Sequence, residues 1–265
     1  MPLLISIIYC IKDRDPRNLR NCLRTLTTQD AFDNDIEIVL VDYGSQMDFR
    51  TEYRNTCAQY DARLISVDPV TQFCKTHALN IGIRHSNPNA RYVLCSDVDM
   101  LYARNFMATL TKVLTEKESR FVTCGHYALK PGAAHPDTDV IESFDRLCDP
   151  KYHESFRCWP GPCQAASRDW FFRVRGLDER FVRYGPEDAD LQRRAARSGL
   201  EVVWIHDRTT LLHQWHLTQW QMAQETAKME EQLLYFNLNQ AYYLADKTIA
   251  RNDPDKWGAI PENDK

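Results

Sequence analysis

Apolar, β-branched runs alternate with helical periodicity through the first part of the chain, which leaves few folds open to it. Residues 4–10 and 36–41 read as buried strands, 63–67 as a short strand and 92–95 as another. Pro16 opens a helix to about residue 29, with Leu19, Cys22, Leu23 and Leu26 on one face. Further helices are expected at 47–60 and 73–85. This order predicts an α/β fold with a mostly parallel central sheet flanked by helices. In such sheets ligands bind beyond the carboxyl ends of the strands. Asp42 and the triplet Asp97-Val98-Asp99 fall at two of those ends.

The second half is less regular. A helix is expected at 106–114, a strand at 121–127, a loop at 130–139, a helix at 187–198 stopped by Gly199, and a last strand at 201–205. Residues 218–250 read as a polar, Gln-rich helix or helix pair whose apolar residues pack on the body, and 252–265 as a loose tail. With 265 residues, 43% of them hydrophobic, the chain can bury a sizeable core. A net charge of −4 argues against nucleic acid as a partner. No apolar run approaches the roughly 20 residues of a transmembrane helix, and no cationic stretch precedes 4–10 as it would in a signal peptide. Nine cysteines, an odd number with several in apolar runs, predict reduced thiols and a cytoplasmic protein. Cys158 and Cys163 could be a metal pair or a disulfide, but read first as structural or incidental, since a zinc site wants two more matched ligands.

Three clusters carry chemistry. Alternate spacing in an extended chain puts Asp97 and Asp99 on one side, where they could grip a hard cation that binds pyrophosphate. The ordinary reading of such a triplet is an acidic loop capping a helix. Glu187, Asp188 and Asp190 crowd the start of a helix, where negative charge is favoured by the helix dipole. Crowding also disfavours ionisation, which suits a general base. His213 and His216 are either packed histidines or further ligands to a metal held by Asp99. Trp159, on the Pro-Gly-Pro loop 158–163, is the best aromatic platform for a sugar ring.

The order of these clusters resembles the GT-A glycosyltransferases. SIIYCIKDRDPRNLRNCLRTLTTQ followed by EIVLVDYGS is similar to family 2 enzymes, and the similarity implies that Asp42 contacts the base or ribose of a nucleotide donor. Tyr43 stands where many relatives carry a second Asp. FCKTHALNIGIRHSNPNARYVLCSDVDM and GLDERFVRYGPEDADLQRRAARSG resemble the β-1,4-galactosyltransferase and chondroitin-synthase type. That resemblance implies that Ala78, Asn80 and Gly82 shape the donor pocket, that Asp97 contacts the donor and that Asp99 ligates the metal. It gives Glu187 and Asp188 acceptor-side roles, with Asp188 as the base, and makes His216 a better metal ligand than His213. Tyr184 stands where relatives have Trp, and Pro186 where they have Gly, so Tyr184 is a candidate acceptor contact with its own geometry.

The resemblance implies an inverting, metal-dependent transferase using Mn2+ (or Mg2+) and a nucleotide-sugar donor, UDP-linked by preference. Its acceptor is a glycan, a lipid-linked glycan, a protein or a small molecule. Residues 1–216 would form the catalytic domain, with a donor half at 1–100 and an acceptor half at 101–216, and 217–265 a helical extension and tail. The rival readings are a nucleotidyltransferase, which would lack a use for Glu187–Asp190, and a sugar- or nucleotide-binding module that has lost activity.

Overall fold

The computed structural model describes residues 5–29, 36–70, 72–134 and 138–261. Leu4 of the first expected strand, positions 135–137 of the expected loop and the last four residues of the expected tail lie outside the described residues. Seven strands form the main sheet. They are β1 (Ile5–Ile11), β2 (Ile36–Tyr43), β3 (Arg63–Val67), β4 (Tyr92–Cys95), β6 (Arg120–Thr123), β9 (Gln164–Ser167) and β10 (Glu201–Trp204), in the order β10-β6-β9-β4-β1-β2-β3. All neighbours are parallel except β9, which runs antiparallel to both β4 and β6. A second sheet holds β5 (Met100–Tyr102), β11 (Leu211–His213), β7 (His126–Leu129) and β8 (His153–Arg157), in that order.

The core follows from strand alternation. On β1, Ile5, Ile7, Tyr9 and Ile11 face one hydrophobic layer and Ile8 and Cys10 the other. The first layer receives α1 (Pro16–Thr27) through Leu19, Leu23 and Leu26, α2 (Met47–Gln59) through Tyr53, and α4 (Phe106–Glu116) through Leu110. The second receives α3 (Lys75–Arg84), α6 (Arg168–Val174) and α7 (Glu187–Arg197). Each fully buried Leu, Ile or Phe contributes about 1.5–3 kcal/mol. Asp15 caps α1 by accepting the Arg17 N–H, with Pro16 in the first turn. At Gly82 α3 presses on β1: a Cβ there would lie 2.2 Å from Ile8 Cγ2.

Three expectations are corrected. The single strand at 121–127 is two strands, β6 and β7, in different sheets. The helical region after 217 is a pair, α8 (Gln219–Glu225) and α9 (Met229–Ala245), but its apolar residues do not all pack. Leu233 and Leu234 are exposed, while Gln232 and Asn239 are buried. The reason lies in what α9 covers. Asn239 Nδ2 donates to the carbonyls of Val182 and Tyr184 in an irregular loop, and an apolar side chain could not satisfy them. Finally, the tail is not loose as far as it is described: Trp257 is buried in the second layer and Arg251 is 3% exposed. Its partners Asp178 and Asp190 lie far away in sequence, so no local pattern announces the attachment.

Candidate active site

β4 ends in the middle of the main sheet, and the chain turns at Val98–Asp99 before entering β5. The triplet is therefore not extended. Val98 is buried in the core, and Asp99 and Asp97 take different partners, the histidines and Lys75.

Asp99 is buried and faces both candidate histidines. His216 Nε2 lies 3.1 Å from Asp99 Oδ2 and His213 Nε2 3.5 Å from Oδ1. Strand pairing sets this geometry: β11 runs antiparallel to β5 with His213 opposite Met100, and the Gln214 N–H donates to the Asp99 carbonyl. One ligand atom from each of the three side chains falls within 4.8 Å of the others. His216 Nδ1 is 2.8 Å from the Leu217 carbonyl. A carbonyl only accepts, so Nδ1 carries a hydrogen, and Nε2, facing the carboxylate, is the atom a metal could take. Asp99 Oδ1 is buried with no hydrogen-bond partner. Burial alone would raise the Asp99 carboxyl, but His213, His216 and Arg14 hold it well below the usual carboxylate range. Burial pushes the His213 imidazole down. It also pushes neighbouring His126, whose ring centroid is 5.6 Å away, down to about 4. A buried carboxylate with one unpartnered oxygen beside two imidazoles suits a cation, and the mixed oxygen and imidazole set suits manganese better than magnesium.

Asp97 turns to Lys75, at the start of α3. Lys75 Nζ is 2.9 Å from Asp97 Oδ1 and 3.4 Å from each oxygen of Asp188. Burial opposes charge on Lys75, but Asp188, Asp97 and Glu187 hold its ammonium well above the ordinary range. The Asp188 side chain keeps 24% exposure, and Glu187 lies deeper with Oε2 unpartnered. Burial, then the charge of Asp188, pushes Glu187 up to about 8. Burial raises Asp188 as well, against the pull of Lys75. The loop carrying Trp159 lies on this pair: a Cβ at Gly161 would be 2.4 Å from Asp188 Oδ2. Gln164 Nε2 donates to the Asp188 carbonyl.

The raised Glu187 has a pH signature. Its folded value lies above its ordinary 4.5, so the folded state binds more protons than the unfolded state between about 4.5 and 8. Stability contributed by this group falls as pH rises through that window. Glu187→Gln should therefore gain melting temperature relative to the parent as pH goes from acid toward about 8. An unchanged difference across that range would refute the buried, proton-holding Glu187.

The remaining predicted residues divide. Trp159 is 55% exposed, with the Arg157 guanidinium 5.3 Å from its ring centroid, in keeping with a platform. The Tyr184 ring stacks toward Phe236 of α9 at 6.2 Å. Asp42 is fully buried: it accepts the Ser45 N–H and pairs with Arg50 at 3.4 Å, fixing the turn after β2. Ala78, Asn80 and Gly82 are buried too, and Asn80 holds Leu177 through both its amide atoms. Asp190 faces Arg194 in the core instead of the cleft. All nine cysteines are free, Cys158 exposed and Cys163 buried. Sequence reading missed Lys75 and Arg14, although each stands within a stretch already singled out.

Two cavities meet at His216. One, of about 400 Å³, is lined by Arg14, Asn18, Lys130, Trp215 and Met222 among others. The second, of about 210 Å³, is lined by Glu154, Arg157, His213 and Gln221. Among the described residues no helix is long and apolar enough to cross a membrane.

Comparison with known proteins adds to this geometry. The sequence profile described as glycosyl transferase family 2 matches residues 6–172. That described as the N-terminal domain of galactosyltransferase matches residues 146–216, which hold Glu187, Asp188 and both histidines. No curated protein matches the chain. Among solved structures, the mannosyltransferase PcManGT from Pyrobaculum calidifontis, in complex with GDP-Man and Mn2+, is similar at a TM-score of 0.60 and 18% identity, over 97% of this chain and 67% of that one. S. aureus TarS is similar at 0.57 and 12%, over 91% of this chain and 41% of its own. GalNAc-T7 with UDP, GalNAc and Mn2+ is similar at 0.63 and 14%, over 83% and 45%. The chain thus spans less than half of the last two, and at these identities the likeness speaks for the fold alone.

Proposed function

Because the chain belongs to glycosyl transferase family 2 and has the GT-A fold, we propose that it is a metal-dependent, inverting transferase that moves a sugar from a UDP-sugar to an acceptor hydroxyl. The observation that carries this reading is the convergence of Asp99, His213 and His216 beside a second cluster of Lys75, Asp97 and Asp188. Asp99, His213 and His216 would hold a manganese ion, which when bound supplies Lewis-acid stabilisation of charge on the leaving nucleotide diphosphate. Both similar structures with a named nucleotide also name Mn2+, which supports that ion.

The chain's own residues supply the rest. Lys75 brings positive charge between Asp97, on the donor side, and Asp188, on the acceptor side. Asp188 takes the proton of the acceptor hydroxyl as that oxygen attacks the anomeric carbon, and one displacement inverts the centre. Burial and the charge of Asp188 push Glu187 up to about 8, whereas Lys75 pulls Asp188 down against its burial, which favours Asp188 as the base. Trp159 offers its exposed face to the acceptor, and Tyr184, on the 176–186 loop, is the second aromatic candidate for it. Asp42, Ala78, Asn80 and Gly82 act on the donor indirectly, by fixing the walls behind it.

The test is a melting-temperature panel with UDP, GDP and CDP, each with manganese or with chelator. A nucleotide at 100 times its Kd adds about 2.7 kcal/mol to stability. We expect that gain with UDP and manganese together. A gain with GDP in place of UDP would overturn the UDP assignment, and none with any nucleotide would overturn the donor site.

A further inference from the structure

The loop from Gly176 to Pro186 leads into the first turn of α7 and so sets where Asp188 points. Asn80 and Thr76 of α3 hold this loop at Leu177 and Phe181, and Asn239 of α9 holds it at Val182 and Tyr184, while a third set of ties comes from the chain beyond α9. Arg251 reaches Asp178 at 3.2 Å, Asp190 at 3.3 Å and Asp246 at 2.5 Å. Asn252 Oδ1 accepts the Glu179 N–H, and its Nδ2 donates to the carbonyls of Arg175 and Leu177. Glu179 Oε1 accepts the Gly258 N–H, and Trp257 locks the segment under α3. Arg194 takes the other oxygen of Asp190 at 2.7 Å.

We propose that Arg251 is a positioning residue for the acceptor side, holding the 176–186 loop and the first turn of α7 so that Asp188 faces the cleft. Arg251 touches no reacting group. It acts by tying Asp178, at the start of the loop, to Asp190, one helical turn into α7, so the loop is fixed at both ends by one guanidinium. Three carboxylates approached from three directions need the planar fork of arginine, which the single ammonium of lysine cannot match. Both acids are buried; without Arg251, Asp178 keeps only Arg180, on the loop itself, and Asp190 keeps only Arg194, on α7, so the tie between loop and helix is lost. A displacement of about 1 Å at a reacting group can cost roughly 10²-fold in rate.

This inference rests on the glycosyltransferase reading, and its test separates the two. Full-length Arg251→Ala and Arg251→Lys would be compared with the parent, together with Asn252→Gly. Glycine keeps the positive φ of 59° at position 252 and removes only the side-chain ties, so it covers the case in which Arg251→Ala fails to fold. The readouts are amide hydrogen exchange, the Kd for UDP with manganese, and kcat and KM for release of UDP from a panel of UDP-hexoses and UDP-N-acetylhexosamines. Arg251→Ala should speed exchange at 176–190 while β1–β4 stay protected. It should lower kcat by roughly 10²-fold with donor KM and UDP Kd unchanged, and Arg251→Lys should recover part of the loss. Asn252→Gly should show the same pattern more weakly. Exchange that rises everywhere, UDP affinity that falls in step with kcat, or an unchanged 176–190 segment would each overturn the positioning role. A parent that neither binds UDP nor turns over any donor would instead overturn the function proposed above, and the exchange result would still decide what Arg251 holds.

Discussion

Asp188→Asn is expected to lower sugar transfer by about 10²–10⁴-fold while leaving manganese-dependent UDP binding intact. The substitution is chosen for its shape. Asp188 sits against Gly161 so closely that a larger group would force the 158–163 loop away, whereas asparagine fills the same space. What it removes is a proton acceptor. Asp188 is the member of the carboxylate pair with access to the cleft, and Lys75 helps keep it ionised while burial raises it. Glu187 is the contrast. It is the deeper of the two and is pushed up to about 8, so Glu187→Gln removes a group that already carries its proton at neutral pH. Its effect on rate should be much the smaller. Initial rates of UDP release with acceptor, measured beside UDP Kd, decide between them. An unchanged rate in Asp188→Asn removes the base assignment, and a larger loss in Glu187→Gln moves it to that residue.

Much of this site could be read from residue order. The strand-then-DVD junction, the acidic helix start and the late histidines are each local, and local periodicity placed α3, β4 and α7 to within a residue or two. The two family profiles together reach from residue 6 to 216, the span over which the family resemblance holds. Illegible features are the ones made by pairing over distance. β5 and β11 are three-residue strands with no alternation to detect, yet their register brings both histidines to Asp99. β9 enters the middle of the main sheet in reverse, and nothing within its four residues marks that. Alternate spacing presumes an extended chain at Asp97–Asp99, whereas the chain turns there between β4 and β5. Asp190 looked like chemistry and is an anchor, since the two arginines that claim it are buried in the core. The inward polar face of α9 is the same lesson in reverse: hydrophobicity predicts which residues bury only where the covered surface has its own hydrogen bonds satisfied.

Asp99→Ala should abolish the manganese-dependent part of UDP stabilisation, a loss of about 2.7 kcal/mol with UDP at 100 times the parent Kd. Without the carboxylate, the space between His213 and His216 keeps two imidazoles and the Arg14 guanidinium, whose Nε lies 3.9 Å from Asp99 Oδ2 in the parent. A divalent cation placed there would meet repulsion from Arg14 with no anion to balance it. The fold should bear the change well. Gln214 is held by the backbone carbonyl of residue 99, which alanine retains, and one Asp99 oxygen has no hydrogen bond to lose. Asp99→Asn keeps an oxygen ligand and removes the charge, so it should fall between parent and alanine in manganese affinity. This ordering separates a ligand from a structural acid: an acid that only orients the histidines would lose as much in the asparagine as in the alanine variant. Full manganese-dependent UDP stabilisation in Asp99→Ala would place the cation elsewhere. His213 and His216 would then be two imidazoles around an ion-pairing carboxylate, with a proton where the metal is proposed.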